Sequence, residues 1–111
     1  MLIYKILRED EWATLKAQGE TDGSPADVAD GYIHFSTATQ LPGTLAKHYA
    51  GETPLHMLAC DPDSLGDKLI WEPARGGDLF PHLYRRFTLA DIQWSRVVEL
   101  TEGGHQTGPL E

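Results

Sequence analysis

The sequence predicts one compact α+β domain in which a mostly antiparallel or mixed sheet packs with two or three helices. The chain has 111 residues, 41% of them hydrophobic, enough for one core and too few for two domains. Short β-rich runs are interspersed with short helical patterns, as in α+β folds. No internal repeat or linker divides the chain, so residues 1–100 are predicted to form the domain and residues 101–111 a flexible polar tail.

The first elements are predicted by alternation and by helix-end signals. Residues 2–7 alternate as a strand, with Ile3, Lys5 and Leu7 on one face. Acidic residues follow directly and Gly19 comes later, which brackets a short helix. Residues 20–30 are predicted to be a loop.

The segment from Gly31 to Thr37 is the most informative in the chain. It predicts a turn, a strand over residues 32–36 and the start of a helix. In a strand, Tyr32, His34 and Ser36 share one face, while Ile33 and Phe35 share the other. A phenol, an imidazole and a hydroxyl would therefore line one surface.

The second half of the chain is predicted from apolar runs and turn residues. Pro42 favours the first turn of the main helix, which should end at Gly51. Pro81 indicates an edge or bulged strand. The predicted elements are a strand at 55–60 covered on both faces, strands at 68–71, 79–84 and 94–100, and a one-turn helix at 88–91 capped by Thr88.

Composition excludes several classes of function. The formal charge is −8, from 17 acidic and 9 basic residues, which argues against general nucleic-acid binding. A local patch of Arg75, Arg85 and Arg86 leaves room for one small phosphate compound. No apolar run approaches the roughly 18 residues of a membrane span and no leader pattern begins the chain, so a cytoplasmic location is expected. A monomer or a weak dimer is also expected. Cys60, the single cysteine, is expected to be a small buried hydrophobe, and Leu110-Glu111 is interpreted as an expression remnant.

His34 and Glu72 are the strongest candidates for chemistry. His34 interrupts a strand that contributes to the core, which indicates either a satisfied structural histidine or a ligand contact. Glu72 follows Trp71 and precedes a proline. Its carboxyl could have a raised pKa and act as acid or base, or it could cap the turn.

Other candidates lie in the following turn and strand. The Arg75-Gly76-Gly77 turn could bring backbone N–H groups and a guanidinium to an anion, or it could be an ordinary hairpin turn. His82 and Tyr84 face the same side of their strand, either joining His34 across a cleft or forming a surface pair. The histidine spacings match no metal signature, so no metal is expected.

The order of several motifs resembles a small bacterial family of unknown function, DUF952, over residues 2 to about 100. The motifs are Gly31-Tyr32-Ile33-His34-Phe35-Ser36-Thr37, Leu69-Ile70-Trp71-Glu72-Pro73, Arg75-Gly76-Gly77 and Leu79-Phe80-Pro81-His82-Leu83-Tyr84. That family is grouped with the ADP-ribosyltransferase-like superfamily, whose split sheet holds NAD in a cleft. Residues 31–61 are also similar to a strand, helix and strand of RNA 2′-phosphotransferases.

This resemblance implies an NAD-using ADP-ribosyl- or phosphotransferase-like enzyme. It implies Glu72 and His34 as catalytic residues, and a cofactor site at Ser36, Thr37, Arg75, His82, Tyr84 and Lys5. Lys5 stands where the superfamily has an arginine, and a lysine cannot make the same two-pronged contact with pyrophosphate. Two alternatives therefore stay open: a non-catalytic domain that binds a small anionic or nucleotide-like metabolite, and a plain interaction module.

Overall fold

The computed structural model describes residues 1–110, apart from the side chain of Arg75. Ten strands make up the sheets: β1 Ile3–Arg8, β2 Glu20–Thr21, β3 Ile33–His34, β4 Ser36–Thr37, β5 Leu55–Cys60, β6 Leu69–Pro73, β7 Leu79–Leu83, β8 Phe87–Thr88, β9 Ile92–Thr101 and β10 Gly104–Gln106. The α-helices are α1 Glu9–Gln18, α2 Pro25–Asp30, α3 Leu41–His48 and α4 Pro62–Leu65, and single 3₁₀ turns cover Gly66–Lys68, Arg75–Gly77 and Leu89–Asp91. The α+β prediction is confirmed, with four α-helices rather than two or three.

The strands form three antiparallel sheets. The largest has the order β10-β9-β5-β1-β4, a second has the order β3-β7-β6, and β2 pairs with β8. Within the described residues every strand pairing is antiparallel. No helix in this part of the chain is both long enough and apolar enough to cross a membrane.

Both faces of the five-stranded sheet are covered, as the apolar run of β5 predicts. One buried cluster includes Ile3, Leu58 and Cys60, and the other includes Tyr4, Met57 and Ala59. Because successive side chains of a strand point to opposite faces, β1 and β5 supply both clusters. Lys5 lies on β1 and is only 3% exposed.

Residues 20–30 are not a loop. Glu20–Thr21 pairs with β8, and Pro25–Asp30 forms α2. The Ser24 hydroxyl accepts a hydrogen bond from the Asp27 N–H, and the Asp27 side chain accepts one from the Ser24 N–H, which is a capping box. Gly31, at φ 84°, ends the helix in the left-handed conformation. The loop prediction is wrong because a six-residue helix without an apolar stripe has no hydrophobic periodicity. Only the capping residues at its ends can reveal it in the sequence.

The strand predicted over residues 32–36 is divided between two sheets. β3 pairs with β7, whereas β4 pairs with β1, so the chain passes from one sheet to the other at Phe35. The alternation of faces is nevertheless confirmed, because Ile33 and Phe35 are both buried in the core.

Pro81 lies in the central strand of its sheet and not at an edge. Its carbonyl accepts a hydrogen bond from the Phe35 N–H at 3.0 Å. In an antiparallel sheet the N–H and the carbonyl of one residue point to the same neighbouring strand. The nitrogen of Pro81, which carries no hydrogen, therefore points past the end of β3 at His34. The proline therefore accepts a hydrogen bond from Phe35 but cannot return one, and this happens just where the β3–β7 ladder ends.

Residues 101–111, expected to be a polar tail, begin with a hairpin. β10 pairs with the end of β9 through His105 and Leu100. The Arg96 guanidinium donates to the carbonyls of Thr107 and Pro109, at 2.8 and 2.6 Å. Backbone pairing with β9 and the hydrogen bonds of Arg96 therefore order this segment, although it contains few apolar residues.

Candidate functional site

One face of the β3-β7-β6 sheet carries a cluster of ionisable side chains. His34 on β3 and His82 on β7 are direct cross-strand partners. Ile70 and Glu72 of β6 pair with His82 and Phe80, which places Glu72 diagonally beside His82. The structure thus brings together His34, His82 and Glu72, which lie up to 48 positions apart in the sequence.

The Glu72 carboxylate forms hydrogen bonds with His82 and Tyr84, two of the other predicted site residues. Its Oε1 lies 2.8 Å from His82 Nδ1 and accepts a 2.6 Å hydrogen bond from the Tyr84 hydroxyl. The bonds from Tyr84 and His82 lower the pKa of Glu72, so the expectation of a raised pKa is wrong. The same carboxylate raises the pKa of Tyr84 to about 12.

His34 lies between two carboxylates. Its Nδ1 is 2.5 Å from Oδ1 of Asp27 and its Nε2 is 3.0 Å from Oδ2 of Asp30. A neutral imidazole has one N–H, so both contacts are donated only when both ring nitrogens carry a proton.

Asp27 holds this region together from a position that is 1% exposed. Its carboxylate accepts hydrogen bonds from the N–H groups of Ser24 and His34 and from Lys5 Nζ, the last at 2.6 Å. Burial by itself would raise the pKa of Asp27, but the bond from His34 and the charge and bond of Lys5 together hold it well below its usual range. Lys5, expected to meet a pyrophosphate, is instead paired with this buried carboxylate.

Tyrosine rings cover the histidine pair on one side. Tyr32 stacks on His82 with ring centroids 4.1 Å apart, and its centroid lies 4.7 Å from that of His34. The Tyr84 ring packs against Tyr32 at 5.2 Å. These contacts restrict rotation of both imidazoles.

A cavity of about 390 Å³ adjoins the histidine pair. We call it the central cavity. Its lining residues come from β1, α2 with its N-cap, the β3–β4 segment, α3 with its C-cap, the residue after β6, and β7: Tyr4, Lys5, Ile6, Arg8, Ser24, Ala26, Asp27, Asp30, His34, Phe35, Ser36, Thr44, Lys47, His48, Tyr49, Ala74, Phe80 and His82. Tyr32 and Tyr84 line a separate, smaller depression. Tyr32 and Tyr84 therefore do not line the central cavity, although Asp27 borders both depressions.

Ser36 and Thr37, the two hydroxyl residues predicted to bind a cofactor, have different positions in the fold. Ser36 lines the central cavity, and its Oγ lies 2.7 Å from Thr44 Oγ1 on α3. Thr37 accepts a hydrogen bond from the Gln40 N–H, and its own N–H donates to the Gln40 side chain. Thr37 therefore supports the chain at the start of α3 and does not line the cavity.

The remaining predicted residues are also placed by the fold. His82 lines the cavity, whereas Tyr84 is 42% exposed and reaches the site through Glu72. The side chain of Arg75 lies outside the described residues.

Cys60 is fully buried, which raises the pKa of its thiol to about 12. Within the described part of the chain, no three His, Cys, Asp or Glu side chains are grouped so that they could hold a metal.

Sequence reasoning missed Asp27 and Asp30. The signal that could have identified Asp27 is the Ser24-Pro25-Ala26-Asp27 pattern, a capping box with proline at the first helical position. That pattern predicts the helix but not the contact with His34, since the return of α2 to β3 depends on the turn at Gly31.

The chain is similar to known proteins along most of its length. A family profile described as "Protein of unknown function (DUF952)" matches residues 6–95. The crystal structure of protein CC0527 from Caulobacter crescentus is 43% identical, with a TM-score of 0.92, covering 96% of this chain and 94% of that one. The solution NMR structure of CC0527 is 42% identical, with a TM-score of 0.84, covering 96% and 91%. No curated protein matches. By the extent of the profile match and the identity to CC0527, the chain belongs to the DUF952 family.

Proposed function

We propose that the central cavity binds a small anionic molecule, nucleotide-like or otherwise phosphate-bearing. The observation that carries the proposal is the distribution of charge. The chain has 17 acidic residues, 9 Lys and Arg, and 5 histidines. Among the described residues that line the cavity, Asp27 and Asp30 are the only acids. The basic ones are Lys5, Arg8, Lys47, His34, His48 and His82. Of these, Lys5 is paired with Asp27 and Arg8 with Glu52, so the excess of positive charge over those two pairs comes from Lys47 and the histidines. In an acidic protein, this concentration of cationic and imidazole groups favours an anion at one place.

The shape of the cavity supports a small ligand. About 390 Å³ falls in the range of roughly 300 to 1,000 Å³ that small-molecule sites occupy. The hydroxyls of Ser36 and Thr44 and the ring of Phe80 add polar and apolar contacts. A single chain supplies all of these groups, so a monomer would suffice for binding.

An NAD-dependent transferase of the ADP-ribosyltransferase type is the second candidate. Its support is that Glu72, His34 and Lys5 belong to one connected cluster and that the lowered pKa of Glu72 favours the carboxylate form. Such an enzyme would use that carboxylate to orient ribose or activate the acceptor. The pairing of Lys5 with Asp27 favours the simpler binding function, because that ammonium is already engaged.

Isothermal titration calorimetry with a graded set of ligands tests the proposal. Inorganic phosphate, ADP, ADP-ribose and NAD are titrated, with adenosine as the uncharged control. We expect phosphate-bearing ligands to bind and adenosine to bind far more weakly. Lys47→Glu should weaken binding, whereas Lys68→Glu, an exposed lysine outside the cavity, should not.

Two outcomes would count against these functions. If none of the anions binds at millimolar concentration, the proposal is wrong. If ADP and phosphate bind but NAD does not, the NAD-dependent transferase is excluded and the anion site remains.

A further inference from the structure

We propose that His82 and His34 form a general acid–base pair that hydrolyses a small phosphodiester in the central cavity, an inference that rests on the proposed function. The pair is built into the fold, because the two histidines are cross-strand partners and both line the cavity. Each ring also contacts a carboxylate from a neighbouring element, Asp27 for His34 and Glu72 for His82.

His82 has the arrangement of a general base. The carboxylate of Glu72 accepts hydrogen bonds and cannot donate them, so the proton of neutral His82 lies on Nδ1. Nε2 then carries the lone pair. Since Glu72 does not line the cavity and His82 does, Nε2 is the nitrogen that remains for a bound substrate.

His34 has the arrangement of a general acid. Both of its nitrogens face carboxylate oxygens, Nδ1 that of buried Asp27 and Nε2 that of Asp30. Asp27 is 1% exposed, so its contact with Nδ1 is closed to a substrate. Asp30 is 51% exposed, so its side chain can rotate away from Nε2 and leave that nitrogen to a substrate oxygen. The Nε2 proton is therefore the one to be donated.

The spacing of the two rings suits displacement at phosphorus. Their centroids lie 5.4 Å apart with the planes inclined at 71°. Each proton transfer requires a reach of about 3 Å, so one ring can serve the entering oxygen while the other serves the leaving oxygen. Tyr32, which contacts both rings, holds them at this spacing.

The step conserves atoms and electrons. His82 Nε2 accepts a proton from water while the water oxygen forms a bond to phosphorus. The bond from phosphorus to the ester oxygen breaks, the electron pair stays on that oxygen, and His34 donates its Nε2 proton to it. The products are a phosphomonoester and an alcohol, and proton exchange with solvent restores both histidines.

The test follows adenosine 2′,3′-cyclic phosphate and adenosine 3′,5′-cyclic phosphate by ³¹P NMR, with binding of each measured by calorimetry. We expect at least one to be hydrolysed to its monophosphate. His82→Gln and His34→Gln should each lower kcat by about 100-fold or more while the ligand still binds. His105→Gln, on β10 outside the cavity, is the matched control and should leave the rate unchanged.

Folding of each variant is checked by circular dichroism. Since His82 is buried and its substitution could unfold the chain, the half-exposed His34 gives a second, independent variant.

The outcomes separate the two proposals. Binding of a cyclic nucleotide without hydrolysis would overturn the acid–base pair and leave the anion site intact. If neither cyclic nucleotide binds, the acid–base pair is overturned. If inorganic phosphate, ADP, ADP-ribose and NAD also fail to bind, the anion site is overturned as well. Hydrolysis that survives both histidine substitutions would show that the pair is not responsible.

Discussion

His34 and His82 face each other directly across the β3–β7 ladder, with ring centroids 5.4 Å apart. Each imidazole has its Nδ1 against a carboxylate, from Asp27 and Glu72 respectively. The two carboxylates come from different elements, α2 and β6. The histidine pair is therefore held by a helix at one ring and by the neighbouring strand at the other.

Replacing Asp27 by Asn should strongly destabilise the fold. The change leaves the buried ammonium of Lys5 without its counter-charge, and loss of one partner of a buried pair costs on the order of 3 kcal/mol. Urea unfolding followed by tryptophan fluorescence measures the effect. Asp30→Asn, in the same helix but exposed, should cost at most about 1 kcal/mol. Equal losses for the two variants would contradict a structural role for Asp27.

Stability should fall on acidification, in part through Asp27. Its pKa is lowered in the folded state, so its contribution is fully present above the unfolded pKa of about 3.9. That contribution is lost as the pH falls toward the folded pKa. The free energy of unfolding, measured from pH 7 to pH 3, should therefore decrease more steeply in the unmodified protein than in Asp27→Asn. Parallel curves would show that Asp27 does not couple folding to protons.

Glu72 should act on any reaction through His82, as a positioning residue. Glu72→Gln keeps the size of the side chain but removes the charge that orients Nδ1–H, so we expect kcat to fall roughly 10- to 100-fold with KM nearly unchanged. Steady-state kinetics with the cyclic nucleotide that is hydrolysed provide the measurement. Tyr84→Phe, which keeps the carboxylate and removes one hydrogen bond to it, should have a smaller effect. A change confined to KM would instead place Glu72 in substrate binding.

Cys60 should be inert in the native protein. The thiol is fully buried in the strand β5 and its pKa is raised to about 12, so almost no thiolate forms at neutral pH. An aromatic disulfide reagent at pH 8 should label it only after urea is added, as followed by the release of coloured thiolate. Rapid labelling without denaturant would show that β5 opens readily.

Local pattern was sufficient for several of the regular elements. Alternation identified β1 and the two faces of residues 32–36, and the apolar run at 55–60 predicted a strand covered on both faces. Acidic residues followed by Gly19 identified α1, and Thr88 identified the turn that it caps. These features depend on neighbours within a few positions, which is why they can be read from the chain.

Features that depend on distant partners were missed or misjudged. Pro81 is accepted in a central strand because β3 ends beside it, and residues 104–106 form a strand because β9 offers an edge. The pKa of Glu72 is lowered, not raised, because the hydroxyl of Tyr84 and the ring of His82 reach its carboxylate.

The sequence by itself determined the α+β class, the family and the residues of the histidine face, because alternation and motif order are local properties of the chain. Only the tertiary structure decided what those residues do to one another. Lys5 and Asp27 are 22 positions apart, and their pairing exists because α2 returns to β1. His34 and His82 are 48 positions apart, and they meet because β3 and β7 pair in one register. Such contacts depend on which strands pair and in which register, which no short stretch of sequence specifies.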